Sequence, residues 1–190
     1  MTGDVLERFA EVYDRWFEEH RAEYCAELAR VRRLLPRPDS RAVEVGVGSG
    51  RFAAPLGIPL GIEPSCALGR MARERGVGVI RGRAKSLPLR DGSCSSALMV
   101  TVICFLDDPA RAFADIHRIL APGGTFVLGF LEREGVVARR YLSEKDKHRF
   151  LSRARFYSTG EVRDLLGRTG FSPTEVDAQA GFTVIAAQKN

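Results

Sequence analysis

Apolar residues recur at helical spacing through the first part of the chain: Val5, Phe9, Val12, Tyr13 and Trp16, then Tyr24, Leu28, Val31, Leu34 and Leu35. That period predicts two helices over residues 4–34, closed by PRPDS at 36–40. The pattern then shortens. AVEVG, PLGIE, VGVI, SALMVTVICFL and TFVLGFL are compact apolar runs, suited to strands buried on both faces. Between them lie helical stretches: a turn or two at RFAAPL, a helix capped by Ser65 and running to about Arg75, and residues 108–120. In the last of these Phe113, Ile116, Ile119 and Leu120 share one side, and Pro122, Gly123 and Gly124 are expected to stop it. A helix over Thr159 to Arg168 ends at Gly170, and FSPTEVDAQAGFTVIAAQ reads as two closing strands.

Strand and helix alternate, which predicts an α/β fold: an open, mostly parallel seven-stranded sheet, last strand antiparallel, with helices on both faces. One domain is expected: a helical lid over 1–36, a binding core over 41–131, a variable insertion over 132–156, and a closing helix and strand pair over 157–190.

Composition adds little to that picture. The 190 residues are 45% hydrophobic and 28% charged, an ordinary globular balance. No apolar run approaches a membrane span, and the acidic, aromatic start is unlike a secretory leader, so a cytoplasmic protein is expected. The four cysteines have no CxxC spacing, so no metal is expected. Net charge is +5. The densest basic run, Arg139, Arg140, Lys145, Lys147, Arg149, Arg153 and Arg155, is interrupted by Glu144 and Asp146 and reads as a solvated helical face.

The chemistry concentrates at AVEVGVGSGRF, residues 42–52. Gly46, Gly48 and Gly50 follow a strand directly, where bare backbone can approach a ligand. Glu63, at the end of the second strand, has lone pairs for the two hydroxyls of a ribose. Both a dinucleotide and S-adenosylmethionine fit this far. The dinucleotide fingerprint needs a glycine three residues after the second, where Arg51 stands. Glu44 also precedes the turn, and a carboxylate there opposes a pyrophosphate but favours a sulfonium and an ammonium.

EVGVGSG, GIEPS, GRAKSLPLRDGS, ALMVTVICFLDDP and RILAPGGTFVLG, in that order, resemble the motifs of class I S-adenosylmethionine-dependent methyltransferases, in the small-molecule branch that includes the quinone-biosynthesis enzymes. The resemblance implies a Rossmann-like fold, S-adenosylmethionine as cofactor, S-adenosylhomocysteine as product and a small-molecule methyl acceptor. It also implies residue roles. Gly46, Val47 and Gly48 line the methionine part, with Glu44 close by. Glu63 takes the ribose and Pro64 lies against adenine. Ala84 offers backbone to the adenine edge, and Val100 and Thr101 lie beside the sulfonium. Tyr13 and Trp16 resemble an aromatic patch that closes over the cofactor, although they are equally the apolar face of a helix.

The motifs are broken in two places. Arg83 and Lys85 stand where an acid usually accepts from the adenine amine, which implies weak cofactor binding. Ser95 stands where an acid usually holds the corner before the fourth strand, which implies a looser corner. These changes keep open a binding protein that has lost turnover, and a nicotinamide-dependent oxidoreductase is the third reading.

Methyl transfer needs positioning more than side-chain chemistry, and no base can be assigned. His117 reads as structural, His20 and His148 as surface residues, and Cys104 as a buried spacer. An apolar pocket of Phe105, Phe130 and the lid aromatics would take the acceptor. TVIC replaces the N/D-P-P-Y/F motif of amino-methylating enzymes that act on bases, so nucleic acid is not expected as a substrate.

Overall fold

Strands in the middle of the sheet are buried at most positions and must be covered on both sides, and the helices are distributed accordingly. The computed structural model describes residues 6–143 and 154–190. Val5, Lys145, Lys147, His148, Arg149 and Arg153 lie outside the described residues. Helices α1 (Ala10–Glu19) and α2 (Arg21–Leu34) precede β1 (Ala42–Val45), α3 (Ala53–Leu56), β2 (Leu60–Glu63), α4 (Cys66–Glu74) and β3 (Gly78–Arg81). A loop leads to β4 (Cys94–Val100), a 3-10 turn at Ile103–Phe105, α5 (Pro109–Ile119) and β5 (Leu120–Leu131). Then come α6 (Val136–Ser143), α7 (Thr159–Arg168), β6 (Phe171–Gln179) and β7 (Phe182–Lys189).

The strands form a single seven-stranded sheet in the order β3-β2-β1-β4-β5-β7-β6. β7 runs antiparallel to both neighbours, and the other pairings are parallel. Strand order reverses between β1 and β4, which opens a crevice beyond their carboxyl ends. On one face Phe113, Ile116, Phe126 and Phe171 form a core under α5 and α7. On the other, Phe17, Val31, Leu34 and Phe52 pack with Val184 under α1 and α2.

Local signals explain the helix starts. The Ser65 hydroxyl accepts from the Leu68 N–H, and Asp108 accepts from the Arg111 N–H ahead of Pro109 at the first helical position. Ser158 and Glu161 form a reciprocal capping box.

Two boundaries differ from the sequence expectation. The fourth strand stops at Val100, because Thr101 adopts φ 54 and the chain turns into Ile103–Phe105. Helix α5 ends at Ile119, before Pro122 can act, and Pro122, Gly123 and Gly124 lie inside extended β5. Helix α6 lies in the expected insertion and includes Arg139 and Arg140, the start of the basic run read as a helical face.

The corner at Ser95 is closed, contrary to expectation. Its hydroxyl donates to Asp39 at 2.6 Å and its N–H to the Arg41 carbonyl. The acid missing from one side of the corner is supplied from the other.

Candidate active site

Glycine conformations shape the floor of the crevice. Gly46 has φ +77, and a Cβ there would meet Val102 Cγ2 at 2.4 Å. Gly48 has φ +53, and the space above it ends at the Tyr13 ring, 3.6 Å from where a Cβ would sit. These glycines keep the backbone bare under a cavity of about 230 Å³.

Glu63 lies at the mouth of β2, where one carboxyl oxygen accepts from the Gly48 N–H and the other from the Ser65 N–H, both at 2.9 Å. Burial pushes its pKa up, and these backbone bonds pull it back. Each oxygen keeps a lone pair for the cavity it lines.

Of the residues expected to bind the cofactor, Tyr13, Gly46, Gly48, Glu63, Pro64, Ala84, Val100 and Thr101 line this cavity. Glu44 and Val47 do not. Val47 is buried behind the turn, against the spot where a Cβ on Gly61 would lie. Glu44 is 2% exposed, and burial holds its carboxyl well above the usual range, beside the Ala53 N–H. Burial disfavours the charge on which the distinction between the two cofactors rested. One of its oxygens has no hydrogen-bond partner.

Trp16 lines a second cavity rather than the first. Phe130 is fully buried in the core and lines neither, because strand alternation turns it away from the mouth. His20 stacks on Trp16, and His117 packs on Phe171 with its pKa lowered by burial. Cys104 lines the second cavity, donating to the Thr101 carbonyl, and burial pushes its thiol up to about 12.

Sequence reasoning missed the ties that hold the site's parts in place. Asp14 on α1 is 7% exposed. It accepts from Arg51 at 2.8 and 2.6 Å and from Arg75 at 2.8 Å. Burial raises its pKa, but the guanidinium bonds prevail and hold it down at about 2. Arg51, read only as a missing glycine, therefore fastens α1 to the glycine turn. A second tie runs from α5, where Asp115 accepts from the Leu87 N–H while Arg118 donates to the Leu87 and Leu89 carbonyls. It fixes the loop that carries Ala84. Neither tie has a local sequence signal, since Asp14 and Arg51 are 37 positions apart and Leu87 and Asp115 are 28 apart.

The second cavity, about 320 Å³, shares Leu6, Tyr13, Thr101 and Phe105 with the first. Trp16, Phe17 and Phe52 supply much of its apolar wall, and Tyr141 of α6 faces it from the other side. Thr101 belongs to both cavities and holds a left-handed backbone angle that a β-branched residue rarely adopts, a strain of roughly 1–3 kcal/mol.

S-adenosylmethionine fits the first cavity. Glu63 suits its ribose, and the bare glycine backbone suits its methionine arm. Pro64, Leu68 and Ala84 line the same cavity.

Comparisons with known proteins agree. Residues 43–128 match a methyltransferase domain family. A solved S-adenosylmethionine-dependent methyltransferase from Thermotoga maritima is 41% identical over the full length of both chains, with a TM-score of 0.93. An uncharacterised protein of Methanocaldococcus jannaschii is 33% identical, over 98% of this chain and 99% of its own. A Mesorhizobium loti S-adenosylmethionine-dependent methyltransferase shares the fold at 23% identity, over 86% of this chain and 98% of its own, with a TM-score of 0.69. These matches exclude the nicotinamide reading. The chain belongs to the class I S-adenosylmethionine-dependent methyltransferases, and S-adenosylmethionine is its cofactor.

Proposed function

We propose that this methyltransferase acts on a small molecule held in the second cavity. One observation carries the reading: a largely apolar, partly open space of about 320 Å³ adjoins the cofactor cavity across Tyr13, Thr101 and Phe105. That size suits a metabolite. The Thermotoga maritima relative is described as a possible histamine N-methyltransferase, which is also a small-molecule activity.

The cofactor supplies an electrophilic methyl on a sulfonium: an acceptor lone pair forms the new bond as the carbon–sulfur bond breaks, and that electron pair stays on sulfur in S-adenosylhomocysteine. The residues of this chain contribute position. Glu63 and the glycine turn would hold the cofactor at one side, with Glu44 and Val47 supporting the turn from behind. Tyr13, tied down through its neighbour Asp14, and Phe105 would hold the acceptor against Thr101. Alignment of this kind is worth about 7–11 kcal/mol of barrier without a catalytic base. The apolar wall keeps water from competing for the site.

The test uses methyl-labelled S-adenosylmethionine with cell extract separated into low-mass metabolites, RNA and protein. Label in the metabolite fraction, with S-adenosylhomocysteine released, supports the proposal. Label confined to RNA or protein overturns the small-molecule reading, and binding without release of S-adenosylhomocysteine favours a protein that has lost turnover.

A further inference from the structure

The second cavity has one kind of charge among the described residues that line it. Glu19 on α1 and Glu23 and Glu27 on α2 face it, and no lysine, arginine or histidine does. Neighbouring acids on α1 are already answered: Asp14 and Glu18 both pair with Arg51. The three cavity glutamates make no ion pair or hydrogen bond among the described residues. The cation that lowers the Glu27 pKa is Arg30, whose terminal nitrogens bond Asp177 and the carbonyls of Gln179 and Phe182, while its buried Nε–H has no partner among the described residues. Burial outweighs it and, with Glu23 adding to it, raises the Glu27 carboxyl to about 7. An unanswered, half-buried carboxyl among aromatic rings is costly unless a cation completes it.

The rings supply the second feature. Tyr13, Trp16 and Phe17 line the same space as the carboxylates. Aromatic faces attract a desolvated cation, and they also take a flat organic body. The wall shared with the cofactor cavity is Leu6, Tyr13, Thr101 and Phe105, none of them acidic, and the three glutamates line the second cavity alone. The acids therefore do not lie on the wall next to the cofactor.

We infer that the acceptor is a small organic cation, an amine or amidine on an aromatic or apolar body, bound with its positive end at Glu27 and a different, neutral nucleophilic atom at Thr101. The neutral end must be the one methylated, because a protonated amine has no lone pair to form the bond. A proton carried by the nucleophilic atom is released to water after transfer. This inference rests on the second cavity being the acceptor's, and it narrows that reading from small molecules to cations.

Two experiments test it. In the first, the low-mass metabolites are separated on a cation exchanger at neutral pH before reaction, and each fraction is offered with labelled S-adenosylmethionine. Acceptor activity in the retained fraction supports the inference, and activity in the flow-through overturns it. Label in neither fraction means that the small-molecule reading has failed and takes the inference with it.

In the second, tyramine, tyrosol and 4-hydroxyphenylacetate, which share one phenol ring and carry a cationic, a neutral and an anionic end group, are titrated by calorimetry with S-adenosylhomocysteine present. Tyramine should bind about tenfold more tightly than tyrosol, and 4-hydroxyphenylacetate weakest. Glu27→Gln should erase the tyramine preference while leaving S-adenosylhomocysteine affinity intact. Equal or tighter binding of the neutral or anionic compound, or an undiminished preference in Glu27→Gln, overturns the inference.

Discussion

Replacing Glu27 by glutamine in the empty protein should make it more stable, by an amount that depends on pH. The folded-state carboxyl sits at about 7 against an ordinary value of 4.5. The folded chain thus binds the proton more tightly than the unfolded one. Its contribution to stability is complete below about pH 4.5 and is lost as pH rises through about 7. At 1.36 kcal/mol per unit, the loss is about 3 kcal/mol. Groups around the carboxyl have opposing effects: Glu23 on its own helix raises the pKa and Arg30 lowers it, while Glu19, Tyr13 and Tyr141 share the cavity. The assay is urea denaturation of both proteins between about pH 5 and pH 8. Taking the difference at each pH cancels titrations common to both chains. The variant's advantage should grow by about 2–3 kcal/mol across that range, or roughly 5–10 °C in Tm for a chain of this size. A difference that stays flat, or shrinks as pH rises, would show that Glu27 is well solvated or already paired, and the reasoning about the cavity would fail with it.

Other perturbations separate the remaining parts of the site. Asp14→Asn leaves Arg51 and Arg75 without their shared partner and should cost about 2–4 kcal/mol in denaturation while weakening S-adenosylhomocysteine binding; its own pH dependence has the opposite sign to that of Glu27, with stability present above pH 3.8 and lost as pH falls towards about 2. Gly46→Ala and Gly57→Ala share φ +77, but only Gly46 has a neighbour within 4 Å. The first should therefore lose about 2–4 kcal/mol and cofactor binding, the second only the left-handed cost of about 1–2 kcal/mol; equal losses would refute the close-packed turn. Glu63→Gln should raise the Kd for S-adenosylhomocysteine about tenfold or more, read by calorimetry, because an amide presents one acceptor where the carboxylate presents two. Arg83 and Lys85 line the same cavity and offer only donors to the base, so cofactor affinity should lie well short of nanomolar, and a nanomolar titration would contradict that.

What was legible in the sequence came from local rules. Period and punctuation are written residue by residue, so the strands, most helices and the glycine turn could be placed before any packing was known. Glu63 could be placed at the mouth of the crevice because it ends the strand that follows the glycine turn, and it does line the cavity there. Even so, SALMVTVICFL reads as one continuous strand, and only the left-handed Thr101, held by Gly129 across the sheet, shows where it stops.

The tertiary structure alone decided which side chains meet. Glu44 has the right charge and the right place in the chain, but its strand is buried on both faces, so the carboxyl lies outside the cavity lining and burial works against its charge. Phe130 was misplaced for the same reason: alternation along β5 sends it into the core. Arg51 and Asp14, 37 positions apart, could not be paired by any local rule, and neither could Arg75 with Asp14 across 61. The three glutamates at the second cavity carry no motif at all. What they can bind depends on two helices placing carboxylates, unpaired among the described residues, beside aromatic rings next to the cofactor cavity, and charge and burial acquire meaning only once the chain has folded around them.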